Sequence, residues 1–436
     1  MRLFSGLIIG RGIIFSVFLG ISVLYAQDAS VEGNFHNESK ALTQPNKDTY
    51  QTLLSEATQD KGYLGAVALV AQNGQIVDFQ SFGYQDLMRH SAMSNDAIFR
   101  VYSMTKSLAA AAALVLVDDG KLNLDAPVSL YLPEFSSMQV FVGGSADFPQ
   151  LKPAQRPITA RQLLTHTAGF STGGIGIKEA SKLLEREELH RSTDLRDFAE
   201  RVARSPLQSE PGTRFLYDGV NYEVLGRLIE VVSGLTLDVF MQERIFTPLK
   251  MSDTGFWVTV AKRSRIVDIT TIGPNGHLVS AAGPSAVRPG TMLNPYVSAA
   301  GGAYSTASDF LRFCQMLLQG GQLEGVVVLS AKSVQTMLSN QLIQSNPGGG
   351  LKTTESGPGE GHGLGGWVLL DGHPQRRPGS VGSFGWSGAG STYFMIDPKQ
   401  SLVAILLLQH LPGNADIELP KLQIPFYRRV YLTLSP

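Results

Sequence analysis

Phe99-Arg100-Val101-Tyr102-Ser103-Met104-Thr105-Lys106 runs straight into an alanine-rich apolar stretch, Leu108 to Val117, which Asp118-Asp119-Gly120 closes. Five consecutive alanines, Ala109 to Ala113, give the run strong helix propensity, and a helix that is apolar on every face is a buried one. Gly120 suits the left-handed position just past a helix end. Ser103 therefore falls at or near the first turn of a buried helix. Lys106, three residues on, shares its face. A hydroxyl beside a partly desolvated lysine has a base at hand, because burial disfavours the ammonium form. The helix N-terminus adds free N–H groups that suit an oxyanion. A Ser-x-x-Lys spacing also arises by chance, as a capping hydroxyl followed by a surface lysine. Here Ser107-Leu108-Ala109-Ala110 follows the lysine, which leaves no solvated face for it.

The chain of 436 residues is long enough for two sub-domains around a large core. It is 43% hydrophobic and 17% charged, with a formal net charge of −1. Nothing in that balance suggests nucleic acid or an anionic membrane surface as a partner. Cys314 is the single cysteine, so there is no intrachain disulfide. It lies in a helical pattern and reads as an inert core residue. None of the eight histidines stands in a metal-ligand spacing, so neither metal nor other cofactor is expected.

Arg2 and Arg11 are the only charges before Asp28, and Gly12 to Ala26 is apolar. This pattern predicts an export signal at residues 1–26, cleaved after Ala26, and a periplasmic or secreted protein. An uncleaved anchor is the rival, since Leu24 is large for the −3 position. No later apolar stretch is long enough to span a bilayer. Residues 27–47 read as a linker, and 48–436 as one domain.

Within that domain, Thr49 to Asp60 has helical spacing. Gly65 to Ala71, Asn73-Gly74 and Ile76 to Phe79 read as a hairpin. Residues 136–157 look like an extended loop. Residues 158–250 are mostly helical patterns, and Thr306 to Gln319 is a helix stopped by Gly320-Gly321. Gln344 to Gly366 is flexible by composition, fitting either a lid or a surface loop. Strand patterns follow at Trp367–Leu370, Val381–Trp386, Thr392–Ile396 and Leu402–Gln409, then a C-terminal helix. Strands, helices, then strands imply an α+β fold: an antiparallel sheet drawn from both chain ends (about 48–98 and 290–436), flanked by helices, with an all-helical region (about 99–289) inserted.

Two further segments line up with Ser103-Met104-Thr105-Lys106. One is Pro211-Gly212-Thr213-Arg214-Phe215-Leu216-Tyr217-Asp218-Gly219, ahead of a helix. The other is Gly385-Trp386-Ser387-Gly388-Ala389-Gly390, at a strand end. Leu163-Leu164-Thr165-His166-Thr167-Ala168-Gly169 and Ala299 to Asp309 stand between them. In this order the motifs resemble the serine hydrolase family of class C β-lactamases, DD-peptidases and family VIII carboxylesterases, over roughly residues 48–436. The resemblance implies a β-lactamase/transpeptidase-like α/β sandwich beside a helical region, with the site between them. It implies Ser103 as nucleophile, Lys106 as its partner, and Tyr217 as the tyrosine that activates the serine and protonates the leaving group. The backbone N–H groups of Ser103 and Ala389 would form the oxyanion hole, and Trp386, Ser387 and Gly388 would line the substrate site.

Two departures from the family pattern matter. Gly219 replaces the asparagine of Y-x-N, and Trp386 replaces the lysine of K-T-G, the cation for a substrate carboxylate. Both losses favour the esterase branch: an exported hydrolase acting on a small ester or amide through an acyl-serine, or transferring the acyl group to an alcohol. The rivals are a β-lactamase or D-amino-acid peptidase, and a non-catalytic domain that binds a ligand or peptidoglycan. These patterns do not specify the oligomeric state. Gly169-Phe170-Ser171-Thr172-Gly173 also matches G-x-S-x-G. That elbow needs a strand before its serine, whereas Thr159 to Thr167 has helical spacing, so Ser171 is not expected to be the nucleophile and His166 reads as structural.

The export reading has a direct check. Mass spectrometry of protein recovered from the periplasm is expected to find Gln27 first, and an intact Met1 species in the membrane fraction would mean an anchor instead.

Overall fold

The computed structural model describes residues 49–59, 62–171, 176–287, 289–342, 359–372, 377–413 and 418–434. The export signal, the linker and most of the Gly-rich stretch at 344–366 lie outside the described residues. Among the described residues no helix is long and apolar enough to cross a membrane.

Helix α1 (Tyr50–Ala57) leads into strands β1 (Gly65–Gln72) and β2 (Gln75–Gly83). Asn73 and Gly74 both take positive φ, 49° and 78°, as a two-residue hairpin turn requires. A short strand β3 (Phe99–Arg100) precedes α2 (Thr105–Asp118). The inserted region holds a hairpin of β4 (Gln139–Gly144) and β5 (Pro149–Pro153), then helices α3 (Ala160–Leu164), α4 (Lys178–Glu185), α5 (Leu195–Arg204), α6 (Val220–Ser233) and α7 (Leu237–Met241). Small strands β6 (Thr270–Ile272) and β7 (Leu278–Ser280) pair with each other. Strand β8 (Tyr304–Ser305) pairs with β3, and α8 (Ala307–Leu318) follows. After β9 (Gln322–Leu323), β10 (Val326–Val327) and α9 (Ala331–Leu338), the chain returns to the main sheet. It does so as β11 (Glu360–His362), β12 (Trp367–Leu369), β13 (Phe384–Gly388), β14 (Thr392–Asp397) and β15 (Leu402–Leu407), and ends in α10 (Gln423–Leu434).

Among the described residues the main sheet has seven strands in the order β11-β12-β13-β14-β15-β1-β2, each antiparallel to its neighbour. The two ends of the chain meet where β15 pairs with β1, Val67 opposite Leu407 and Leu69 opposite Ile405. Successive strand residues point to opposite faces. Val67, Leu69, Ala71, Val403, Ile405 and Leu407 share one core with α8, α2 and the helical region. Ala66, Ala68, Val70, Leu402, Ala404 and Leu406 share another with Tyr50 and Leu54 of α1 and Phe426, Tyr427 and Val430 of α10. Both faces are covered, which is why Leu402 to Leu407 is an unbroken apolar run. Cys314 is fully buried in α8, and burial raises its thiol well above the ordinary range.

Helix α2 is the axis of the inserted region. Ala109 to Ala113 are wholly inaccessible, and the small side chains let α6 and α9 pack close to it. The stretch 136–157 departs from the expected loop: it forms the β4–β5 hairpin, with a bulge between Phe141 and Gly143. Its glycines and the prolines at 149 and 153 suit a short ribbon outside the main sheet, whose β4 edge is met by Leu207.

Gly365 sets the packing of α2 against the approach to β12. Its φ is +88°, and a Cβ there would lie 2.9 Å from both the Ala110 Cβ and the Ser107 Cα. Its carbonyl accepts the Ser107 hydroxyl at 2.6 Å. Gly365→Ala is expected to destabilise the protein by about 1–3 kcal/mol or more, through overpacking and the positive φ. An unchanged midpoint in thermal unfolding would contradict the packing described.

Candidate active site

Ser103 lies on a 3-10 turn, Tyr102–Met104, that opens directly into α2. Tyr102 holds φ at +45°, which is strained for an aromatic residue and persists only where the surroundings fix it. They fix it from several sides. The Tyr102 hydroxyl donates to the Ser285 carbonyl at 2.8 Å, and its own carbonyl accepts the Thr105 hydroxyl at 2.6 Å. The Val101 carbonyl accepts the Thr392 hydroxyl of β14 at 3.1 Å. The end of β13 closes the remaining side: a Cβ on Gly388 would meet the Val101 carbonyl oxygen at 2.3 Å, and one on Gly390 would meet the Tyr102 ring. Gly388 and Ala389 thus abut Val101 and Tyr102, immediately ahead of Ser103.

Lys106 is wholly buried. Its Nζ donates to the Ser103 Oγ at 3.1 Å and to the Ala300 carbonyl at 2.8 Å. It also lies 5.0 Å from the Tyr217 ring centroid and 5.6 Å from that of Tyr222, within cation–π range. Tyr217, half-buried ahead of α6, therefore meets Lys106 through its ring. Two buried carboxyls share this region. Burial pushes Asp218 up to about 7, against the pull of its hydrogen bonds from Asn221 and of the Lys106 charge. Burial likewise pushes Glu223 up to about 7, against the pull of Ser298, Lys106 and the Ala299 amide.

An aromatic group surrounds Tyr217. Its ring centroid is 4.7 Å from that of His166 and 5.3 Å from that of Trp386, and His362 is 5.1 Å from Trp386 and 5.4 Å from His166. His166 Nδ1 accepts a long hydrogen bond, 3.4 Å, from the Asp218 amide. Both histidines are buried and neutral. Burial drives His166 far down, helped by His362 and the Lys106 charge, and drives His362 down to about 3, again with Lys106 opposing protonation.

The structure thus brings Ser103, Lys106, Tyr217, Trp386 and the Gly388–Ala389 step into one neighbourhood from three distant segments. Ser387 lies between them on β13, opposite Tyr393. Ser171 is buried elsewhere and donates to the Pro206 carbonyl at 3.3 Å; helix α3, not a strand, precedes it. His362, Asp218 and Glu223 were missed by sequence reasoning. The one available signal was a pair of acids beside and inside the apolar helix pattern of α6. A cleft of about 360 Å³ lined by Ile98, Phe246, Trp257 and Lys262 contains none of these residues. Chemically, the arrangement offers a hydroxyl with a cationic partner, a phenol over that cation, and an apolar aromatic wall.

Comparison with known proteins follows the same line. The Beta-lactamase family model matches residues 50–424. The chain is 32% identical to an uncharacterized protein of Mycobacterium tuberculosis, over 89% of this chain and all of that one. It is 30% identical to esterase EstB of Burkholderia gladioli, over 81% of this chain and 88% of that one. The solved structure of unliganded simvastatin synthase (LovD) from Aspergillus terreus superposes with a TM-score of 0.73 at 22% identity, covering 88% of this chain and 98% of that one. That last likeness concerns the fold.

Neutral buried histidines make stability depend on pH. On unfolding, each regains a value near 6.5, so below that pH the unfolded chain binds protons that the folded one refuses. Stability contributed by His362 is present above about 6.5 and is lost as pH falls toward 3, at up to about 1.4 kcal/mol per pH unit. Asp218 and Glu223 act oppositely over an overlapping window, with stability lost as pH rises from about 4 to about 7. His362→Phe is expected to remove its share of the slope, so that acidification from about pH 6.5 to about 4.5 lowers the thermal midpoint less than in the wild type. An unchanged slope would mean that His362 is not held neutral in the fold.

Proposed function

We propose that this chain, which belongs to the β-lactamase family and is an acyl-serine hydrolase or acyltransferase, cleaves carboxylic esters. Ser103 Oγ attacks the ester carbonyl as its proton passes to Tyr217, which acts as a phenolate stabilised by the Lys106 charge beside its ring. The N–H groups of Ser103 and Ala389 hold the oxyanion, and Tyr217 returns a proton to the departing alkoxide. Water then hydrolyses the acyl-serine. An alcohol entering in place of water would give acyl transfer, a second reading favoured by likeness to acyltransferases such as monacolin J acid methylbutanoyltransferase of Aspergillus terreus, 26% identical over 84% of this chain. The charged start and apolar run of residues 1–26 support placing the reaction outside the cytoplasm.

One observation carries the choice of ester. Trp386 sets its indole beside Tyr217, with ring centroids 5.3 Å apart and planes tilted by 55°, where a lactamase-like site would place a cation. A carboxylate buried there without a partner costs several kcal/mol. An apolar acyl or alcohol group gains roughly 25 cal/mol per Å² buried against the indole. An ester also leaves more readily than an amide and does not need the asparagine that Gly219 replaces.

The test is parallel steady-state kinetics on a short-chain aryl ester, a penicillin and a D-Ala-D-Ala peptide. The expected kcat/KM for the ester exceeds the others by at least about a hundredfold, or roughly 2.7 kcal/mol. Ser103→Ala is expected to abolish ester hydrolysis, Ser171→Ala to retain most of it, and Trp386→Lys to narrow the gap, mainly by lowering ester activity. Comparable wild-type efficiency on lactam and ester would overturn the assignment.

A further inference from the structure

Lys106 is held at its Nζ by two oxygens, and only one of them belongs to the serine. The other is the carbonyl of Ala300, at 2.8 Å, in a tight turn spanning residues 298–302. This turn is pinned internally: the Gly301 amide donates to the Ser298 Oγ at 3.2 Å, and the Gly302 amide donates to the Ser298 carbonyl at 3.1 Å. A Cβ on Gly302 would press on that carbonyl oxygen at 3.0 Å. The turn is tied to the rest of the molecule by Glu223, whose side chain is buried on α6. One carboxylate oxygen accepts the Ser298 hydroxyl at 2.5 Å, and the other accepts the Ala299 amide at 3.0 Å.

We propose that Glu223 is a positioning residue for the acyl-serine reaction: by clamping Ser298 and Ala299 it fixes the Ala300 carbonyl that aims Lys106 at Ser103. The proposal rests on the acyl-serine reading given above. A carboxylate suits the task better than an amide. It accepts two donors at once, whereas glutamine must turn its NH₂ toward one of them. Its charge also faces Lys106 of α2 through the same turn, while the Tyr296 hydroxyl, pushed up by burial and by Glu223, is the other titratable group against it. Removing the clamp frees the carbonyl to move, and misplacing a catalytic group by about 1 Å costs on the order of a hundredfold in rate.

The experiment compares wild type, Glu223→Gln and Ser298→Ala in two assays: fluorophosphonate labelling of Ser103 followed in time, and steady-state hydrolysis of a short-chain aryl ester. Thermal unfolding accompanies both. The expected result is at least a tenfold slower labelling rate constant and a comparable fall in kcat for Glu223→Gln, with a smaller fall for Ser298→Ala. KM should stay within about twofold, and the labelling amplitude should remain full. A purely structural role would instead lower the amplitude and the thermal midpoint while leaving the rate constant of the folded fraction unchanged, and that result overturns the proposal. So does a wild-type rate in Glu223→Gln. Failure of wild type itself to be labelled at Ser103 overturns the underlying acyl-serine reading, and the proposal with it.

Discussion

A lysine ammonium held entirely inside the protein is the constraint on which the rest of this structure depends. Lys106 has no exposed surface, so the groups around it must do what water would otherwise do. A serine hydroxyl and a backbone carbonyl take two of its three protons' directions, and the rings of Tyr217 and Tyr222 present their negative faces. Two carboxyls stand in its field without touching it, and two histidines nearby are forced to stay neutral. Burial holds the two acids up and the two histidines down, and the Lys106 charge opposes the first effect and reinforces the second. Such an arrangement suits a reaction that builds negative charge on a carbonyl oxygen, because the dipoles are already oriented before substrate arrives.

The fold meets this demand with elements far apart in sequence. The 3-10 turn that opens α2 contributes Ser103, the first turn of α2 contributes Lys106, the entry to α6 contributes Tyr217, and the end of β13 contributes the aromatic wall and the glycine that lets two backbones touch. Strain at Tyr102 belongs to the same construction. A non-glycine residue at positive φ immediately before the serine turns the chain sharply enough for Ser103 to meet β13 while α2 runs back into the core. Hydrogen bonds from Thr105 and Thr392 hold that bend, so its cost is shared among contacts that also place the site.

What could be read from the sequence was what is encoded locally. The apolar run Gly65–Ala71 and the Asn73-Gly74 turn specify the β1–β2 hairpin, and the all-apolar runs specify α2 and β15. The Ser-x-x-Lys spacing puts two functional side chains on one helical face. The β4–β5 hairpin escaped because Gly143, Gly144, Pro149 and Pro153 obscure alternation, and because a ribbon outside the main sheet has little apolar patterning to show. Asp218, Glu223 and His362 escaped for a different reason. Their meaning is tertiary: each is an ordinary polar residue until packing seals it from water beside Lys106, and no spacing along the chain announces that.

The pairing of β15 with β1 has a consequence in time as well as in space. On a growing chain, β1 and β2 are complete after about residue 83, yet the strand that covers the open edge of β1 ends at Leu407. Until then that edge presents unpaired backbone groups along a strand whose residues are apolar on both faces, the kind of surface on which chains misassociate. The Ser103 turn waits as well, since its restraining neighbours on β13 and β14 come from the last tenth or so of the sequence. Ser103 cannot be set in this geometry before nearly the whole polypeptide exists, so a prematurely terminated chain carries the proposed nucleophile without the neighbours that place it.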